Sequence, residues 1–254
     1  MKTYYLYGAG DLGQLAVEVL SKLNLPYCLL DSYKKGILRP DDIQESERES
    51  SCIAICIATS PYRKIEKTLS KKGWKYIISI YDIFLSYPEC KIKNGWFVGE
   101  MWKDEALKIK EVHERWEDKA SCLRYSSFLM WRLYKKESNI SLNIDPPILP
   151  CLADGLKSQS TLTDIEKRRK VITYADTPMD NISIHAEGCE LETINRNIHL
   201  FQKYRPTINV ACYHTGDGLW EIEKTLMDGL ERYKWYFQLY AYQAQGAYIY
   251  GVPK

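Results

Sequence analysis

Apolar runs and helical stripes alternate at both ends of the chain and give way to a different pattern in the middle. "TYYLYGAG" is a short strand running into glycines. From Asp11 the period lengthens, and Leu12, Leu15, Ala16, Val19 and Leu23 share one helix face until Pro26 breaks it. "YCLLD" reads as a second strand ending at Asp31, and "CIAICIA" (52–58) as a continuous apolar strand of the kind covered on both faces. Thr59 or Ser60 is the expected cap of a helix carrying Tyr62, Ile65 and Leu69, which Gly73 ends. "KYIISI" follows as another strand.

The middle, "KDEALKIKEVHERWEDKASCLRYSSFLMWRLYKK", is helical in period, with a break near 118–121 that predicts two helices. The segment from 139 to 181 is irregular, and the double proline at 146–147 excludes a helix there. The α/β rhythm then returns. "NISIHAEG" is a strand, and Leu191, Ile194, Ile198 and Phe201 make a helix stripe that Pro206 stops. "TINVACYH" is a strand, and Leu219, Ile222, Leu226 and Leu230 make a second stripe. "YKWYFQLYAY" and "GAYIYGVP" follow each other with only a Gln/Gly turn between them, which predicts an antiparallel pair.

The pattern gives an α/β fold in three parts. Residues 1–86 form a Rossmann-like nucleotide-binding unit, 87–138 a helical linker, and 139–254 a partial Rossmann-like sheet ending in an antiparallel hairpin, an order that resembles the close of a methyltransferase-type sheet. Charge changes little: 35 Lys+Arg against 33 Asp+Glu leave +2, so no nucleic-acid groove is expected. No apolar run reaches membrane-spanning length, and the start of the chain does not read as a signal peptide. Eight cysteines without a C-x-x-C pair, several in apolar runs, read as free thiols in a reducing, cytoplasmic setting. "GWFVGEMW" (95–102) is the expected surface for a partner or a second copy in a homo-oligomer.

Two places carry candidate chemistry. Gly8, Gly10 and Gly13 fit G-x-G-x-x-G between a strand and a helix. The first glycine permits the turn, the second lets a ligand approach the backbone, and the third lets helix and strand pack. Asp31 lies 18 residues beyond Gly13 (31 minus 13), placed to accept from ribose hydroxyls. NAD and S-adenosylmethionine (SAM) both carry that diol, so the motif does not choose between them. Asp11 inside the motif favours an uncharged ribose over a pyrophosphate.

The second place is "ISIHAEGCELETI". His185, Glu187 and Glu190 follow one strand, and His214 and Asp217 follow another. Ligands of open parallel sheets bind beyond the strands' carboxyl ends. Neighbouring strands would therefore bring both imidazoles to one crevice, where a histidine can act as a general base. The same set can bind a divalent metal, although no metal-ligand spacing motif is present, and the reading assigns none.

At these residues the chain resembles the FkbM-type family of SAM-dependent methyltransferases over about residues 177 to 254. Glu187, Gly188, Glu190, Arg205, Pro206, Tyr213, His214 and Asp217 match the family's run, while His185 stands where the family has an acid. The resemblance implies methyl transfer to a hydroxyl, often on a sugar or glycan precursor. The SAM-binding half of such a domain has no counterpart here, since Gly155 is the only glycine between Gly99 and Gly188. The N-terminal turn is then the expected nucleoside site. His214 is read as the base, with His185 beside it and Glu187 orienting the acceptor. Glu190, Asp217 and Trp220 are read as acceptor-binding, with Trp235, Tyr236 and Tyr240 available to stack on a sugar. Two alternatives stay open: an NAD- or sugar-nucleotide-binding protein without methyl transfer, and a non-catalytic partner protein.

Overall fold

The computed structural model describes residues 3–87, 103–137 and 170–254. The chain divides into two compact units, Met1–Ile92 and Lys93–Lys254. The stretch at 95–102 and most of the irregular segment lie outside the described residues. No helix among the described residues is long and apolar enough to cross a membrane. Six cysteines are described, all free thiols, with Cys56 and Cys212 buried.

The first unit is a parallel four-stranded sheet in the order β2-β1-β3-β4. Its strands are β1 (Tyr4–Tyr7), β2 (Tyr27–Leu30), β3 (Cys52–Ile55) and β4 (Tyr76–Ser79). Helix α1 (Asp11–Lys22) buries Leu15, Ala16, Val19 and Leu20, and each large aliphatic side chain buried there contributes roughly 1.5–3 kcal/mol. Two short elements have no apolar stripe to announce them: a 3₁₀ turn at Pro40–Asp42 and α2 (Glu45–Ser50), which buries no side chain. Helix α3 (Tyr62–Lys71) starts on Pro61 with no side-chain cap, so neither Thr59 nor Ser60 caps it. The run "KYIISIYDIF" turns from strand to helix at Ser79. There the Ser79 hydroxyl accepts from Tyr81 N and the Asp82 carboxylate accepts from Ser79 N, starting α4 (Ile80–Ser86).

The second unit contains both middle helices, α5 (Lys103–His113) and α6 (Lys119–Tyr134). The expected break is an N-cap: Asp118 accepts from Ser121 N at 2.6 Å. These helices do more than link. Phe237 on β7 (Tyr233–Leu239) packs edge-on against Trp116 and Tyr125, and Phe128 lies beside it. The Ser121 hydroxyl accepts from Phe237 N, and Glu117 N donates to Trp235 O. The remaining elements are β5 (Asn181–Ile184), α7 (Glu190–Tyr204), β6 (Thr207–Ala211), α8 (Glu221–Gly229) and β8 (Ala247–Pro253). Sheet order is β5-β6-β8-β7, with β5 and β6 parallel and β8 antiparallel to both β6 and β7. The hairpin turns at Gln243 and Ala244, both left-handed, as the right-handed twist of paired strands favours. Trp235 is buried and stacked on Tyr233, with Gly251 leaving room for its ring, so it is not available to a sugar.

Candidate functional site: a histidine–glutamate chain beyond β5 and β6

Strands β5 and β6 pair in parallel from Asn181↔Thr207 to Ile184↔Val210. His185 leaves the end of β5, and His214 lies on the loop after β6, so both imidazoles reach the same edge. Their ring centroids are 4.7 Å apart. The expected convergence is present, and the intervening turn shows how it arises. Glu187 has φ +47° and Gly188 φ +99°. Glycine adopts that region freely, whereas for an L-residue it costs on the order of 1–2 kcal/mol. Glu187 sits in a turn, as the other non-glycine residues in this region sit in turns or at helix ends. At Glu187 the strain swings the carboxylate back between the two histidines.

Glu190, in the first turn of α7, organises the buried end. Its Oε1 accepts from Ala186 N at 2.8 Å and its Oε2 from Gly188 N at 2.9 Å. The same Oε1 meets His214 Nδ1 at 2.6 Å. Burial by itself would push this carboxyl up, but the His214 imidazole and the Ala186 amide outweigh it and hold its pKa below the usual value. A carboxylate only accepts, so Nδ1 donates, and the neutral ring keeps its lone pair on Nε2. That Nε2 lies 3.5 Å from Glu187 Oε2, which is long for a hydrogen bond. Glu187 Oε1 is 3.2 Å from His185 Nε2, and Tyr248 on β8 reaches His185 Nδ1 at 3.1 Å. Side-chain exposure falls inward along this chain, from 38% at His185 to 11% at Glu187 and 2% at His214. Tyr213 lies against His214, and burial, then Tyr248, holds its hydroxyl well above the usual range and therefore neutral. The ligand atoms of His185, Glu187 and His214 lie within 4.8 Å of one another, close enough to hold a metal.

Helix α6 supports the loop from behind. Arg132, 1% exposed, donates to Thr215 O at 2.6 Å, and the Tyr125 hydroxyl donates to Leu219 O. Tyr248, Tyr213, Arg132 and Tyr125 were not among the sequence-predicted site residues. An arginine set directly between Trp131 and Leu133 in an aromatic helix was the available signal. The loop closes where Gly218 presses on Cys212, because a Cβ there would stand 1.7 Å from the Cys212 carbonyl oxygen. Gly218→Ala is therefore expected to displace the His214 loop and cost about 2–4 kcal/mol in urea unfolding. Gly10→Ala, where a Cβ meets nothing within 4 Å, is expected to stay within about 0.5 kcal/mol of the parent.

The remaining expected site residues are placed differently. Asp217 is in the 3₁₀ turn Gly216–Leu219, where its charge, after burial, raises the Glu221 carboxyl. Trp220 caps α8, and Lys108 Nζ sits 4.0 Å over its ring. Neither has a hydrogen bond, ion pair or ring contact with the histidines among the described residues. The Tyr240 hydroxyl is bonded to that of Tyr250 at 2.6 Å.

In the first unit, Gly8 (φ +117°) makes the turn, and a Cβ on Gly13 would lie 1.8 Å from Gly8 O. Gly10 is open, and α1 starts there with no side-chain cap, so backbone N–H groups are presented outward. Asp31 clasps this turn. It accepts from Ala9 N at 2.9 Å, Tyr33 N at 2.8 Å and Lys34 N at 3.0 Å. Burial raises its carboxyl, but these three amides and the Lys34 charge prevail and lower it. About one of its four lone-pair positions is left for a ribose hydroxyl. Gly10 is thus the open position of the turn, and Asp31 is mainly its brace.

No family model matches the chain, and no curated protein matches it in sequence. A solved structure does. The crystal structure of the FkbM methyltransferase from Methylobacillus flagellatus KT aligns over 98% of this chain and 90% of its own, with TM-score 0.58 and 12% identity. The likeness is one of fold. This chain has a mixed α/β architecture with a Rossmann-like methyltransferase neighbour, and at that identity residue roles must rest on the site's own geometry.

Proposed function

We propose that the protein is a SAM-dependent O-methyltransferase acting on a hydroxyl of a sugar or glycan precursor. The fold likeness supports methyltransferase architecture. The single observation that carries the chemistry is the buried His214, oriented through Nδ1 by ionised Glu190 and turning Nε2 toward the Glu187 carboxylate. An imidazole held in one tautomer by a buried carboxylate is a positioned general base, a role worth about 10²–10⁴ in rate. In this reading His214 Nε2 takes the proton from the acceptor hydroxyl. Glu187 accepts from a neighbouring hydroxyl and fixes the sugar's orientation. His185, at the exposed end, lines the entrance. SAM, when bound, supplies an electrophilic methyl on a sulfonium. The backbone of Gly8, Gly10 and Gly13, with Asp31, is the part of the chain that suits its nucleoside.

Thermal unfolding with SAM, NAD and nucleotide sugars tests this directly. SAM at 100 times its Kd should stabilise by about 2.7 kcal/mol, a rise in Tm of several degrees. Gly10→Ala should weaken that shift without lowering the Tm of the free protein. His214→Gln should leave the shift and abolish methyl transfer to saccharide acceptors. A shift with NAD and none with SAM would reject the reading in favour of a dinucleotide-binding protein.

A further inference from the structure

We propose that His185, Glu187 and His214 form a binding site for a divalent transition-metal cation of the zinc type. This goes beyond methyl transfer and does not depend on it, because it concerns the protein alone.

Three observations converge. The first is spacing. Four tetrahedral ligands at ~2.0–2.1 Å from one zinc ion stand ~3.3 Å apart. His185 Nε2 lies 3.2 Å from Glu187 Oε1 and His214 Nε2 lies 3.5 Å from Glu187 Oε2, so each imidazole faces its own carboxylate oxygen. One ligand atom from each of the three residues lies within 4.8 Å of the other two, and small side-chain rotations bring such a set to the zinc spacing.

The second is orientation from behind. Histidines that bind metals through Nε2 characteristically have Nδ1 held by a carboxylate or another polar group, which sets the tautomer and aims the ring. Here Glu190 holds His214 Nδ1 at 2.6 Å, and the Tyr248 hydroxyl holds His185 Nδ1 at 3.1 Å. A tyrosine hydroxyl both donates and accepts, so it serves His185 when Nε2 is a ligand as well as when Nε2 carries hydrogen. The third is Glu187 itself. Its left-handed backbone aims the carboxylate at the gap between the two Nε2 atoms, and backbone strain of this kind gathers at functional sites.

Two imidazoles and one carboxylate suit zinc better than magnesium or calcium, which prefer oxygen ligands alone. Three protein ligands leave a fourth position, and exposed His185 gives it access to solvent. With the ion bound, His214 Nε2 is a ligand rather than a base. The ion would then lower the pKa of a bound hydroxyl in its place.

The test uses chelator-stripped full-length protein, with no cofactor or acceptor. Zinc is titrated against a chromophoric chelator, and cobalt is added separately to read its visible spectrum. The expected result is one zinc per chain and the strong visible bands of tetrahedral cobalt. His185→Ala and Glu187→Gln should each weaken zinc at least about tenfold while their Tm stays near the parent's. His199→Ala, an exposed residue of α7 away from the site, should change nothing. Substoichiometric zinc, zinc binding unaffected by both site variants, or a thiolate-to-cobalt charge-transfer band would overturn the proposal. Its failure would leave the SAM shift untouched, so the two readings can fall separately.

Discussion

Glu190→Ala is expected to cost the second unit about 3–5 kcal/mol, because three buried donors lose their shared acceptor. The side chain is 1% exposed and serves three donors at once: Ala186 N, Gly188 N and His214 Nδ1. Each would be left buried without its acceptor, at about 1–3 kcal/mol per group, partly offset by relaxation of the turn. Glu192→Ala is the control. It lies two residues away on the exposed face, paired with Arg196, and such pairs contribute about 0.3–0.5 kcal/mol. Urea unfolding followed by tryptophan fluorescence separates the two variants. A loss below about 1 kcal/mol for Glu190→Ala would mean that the turn does not depend on this carboxylate. The same group predicts acid sensitivity. Its folded pKa lies below the ordinary glutamate value of about 4.5, so its contribution is complete above about pH 4.5 and disappears as pH falls through the depressed value.

Glu223→Gln is expected to act in the opposite direction, and only at higher pH. Glu223 in α8 is fully buried. Burial pushes its pKa up to about 8, against the downward pull of its own backbone N–H, the Cys212 thiol and the Arg132 charge. In the unfolded chain the group ionises near 4.5, so between pH 4.5 and 8 the folded protein holds a proton that the unfolded chain releases. Stability therefore falls as pH rises through that window, at up to about 1.4 kcal/mol per pH unit, and levels off above it. The accumulated loss at pH 8 is about 3–5 kcal/mol. Glutamine keeps the shape and does not titrate. The variant should match the parent within about 1 kcal/mol at pH 4.5 and exceed it by about 3–5 kcal/mol at pH 8. Equal stability at both pH values would show that Glu223 is ionised in the fold.

The secondary structure was legible wherever a period was present. Leu15, Ala16 and Val19 set α1, Ile194 and Phe201 set α7, and the aromatic runs at 233–239 and 247–253 set the hairpin. It was illegible where the period was missing or carried across a boundary. Helix α2, ESERES, has no apolar face to show. Helix α4 continues the apolar run of β4, and only the Ser79–Asp82 capping pair marks the change. The middle helices looked like a linker because their charged faces are conspicuous. Their aromatic faces, which fold onto β7, carry no mark of what they pack against.

At the site, residue order along the chain was enough to bring His185, Glu187, Glu190 and His214 together. Consecutive βα units put neighbouring parallel strands side by side, and their carboxyl ends share an edge. Local sequence accounts for the strands, the helices that carry an apolar period and the glycine turn, because backbone geometry and hydrophobic period act over a few residues. Which nitrogen of His214 faces Glu190, that Tyr248 steadies His185 from β8, that Arg132 braces the loop from α6, and that Asp31 reaches the Ala9 amide were decided only when distant segments packed. Hydrogen-bond direction and burial depend on what lies across the fold, and no short stretch of chain contains that information.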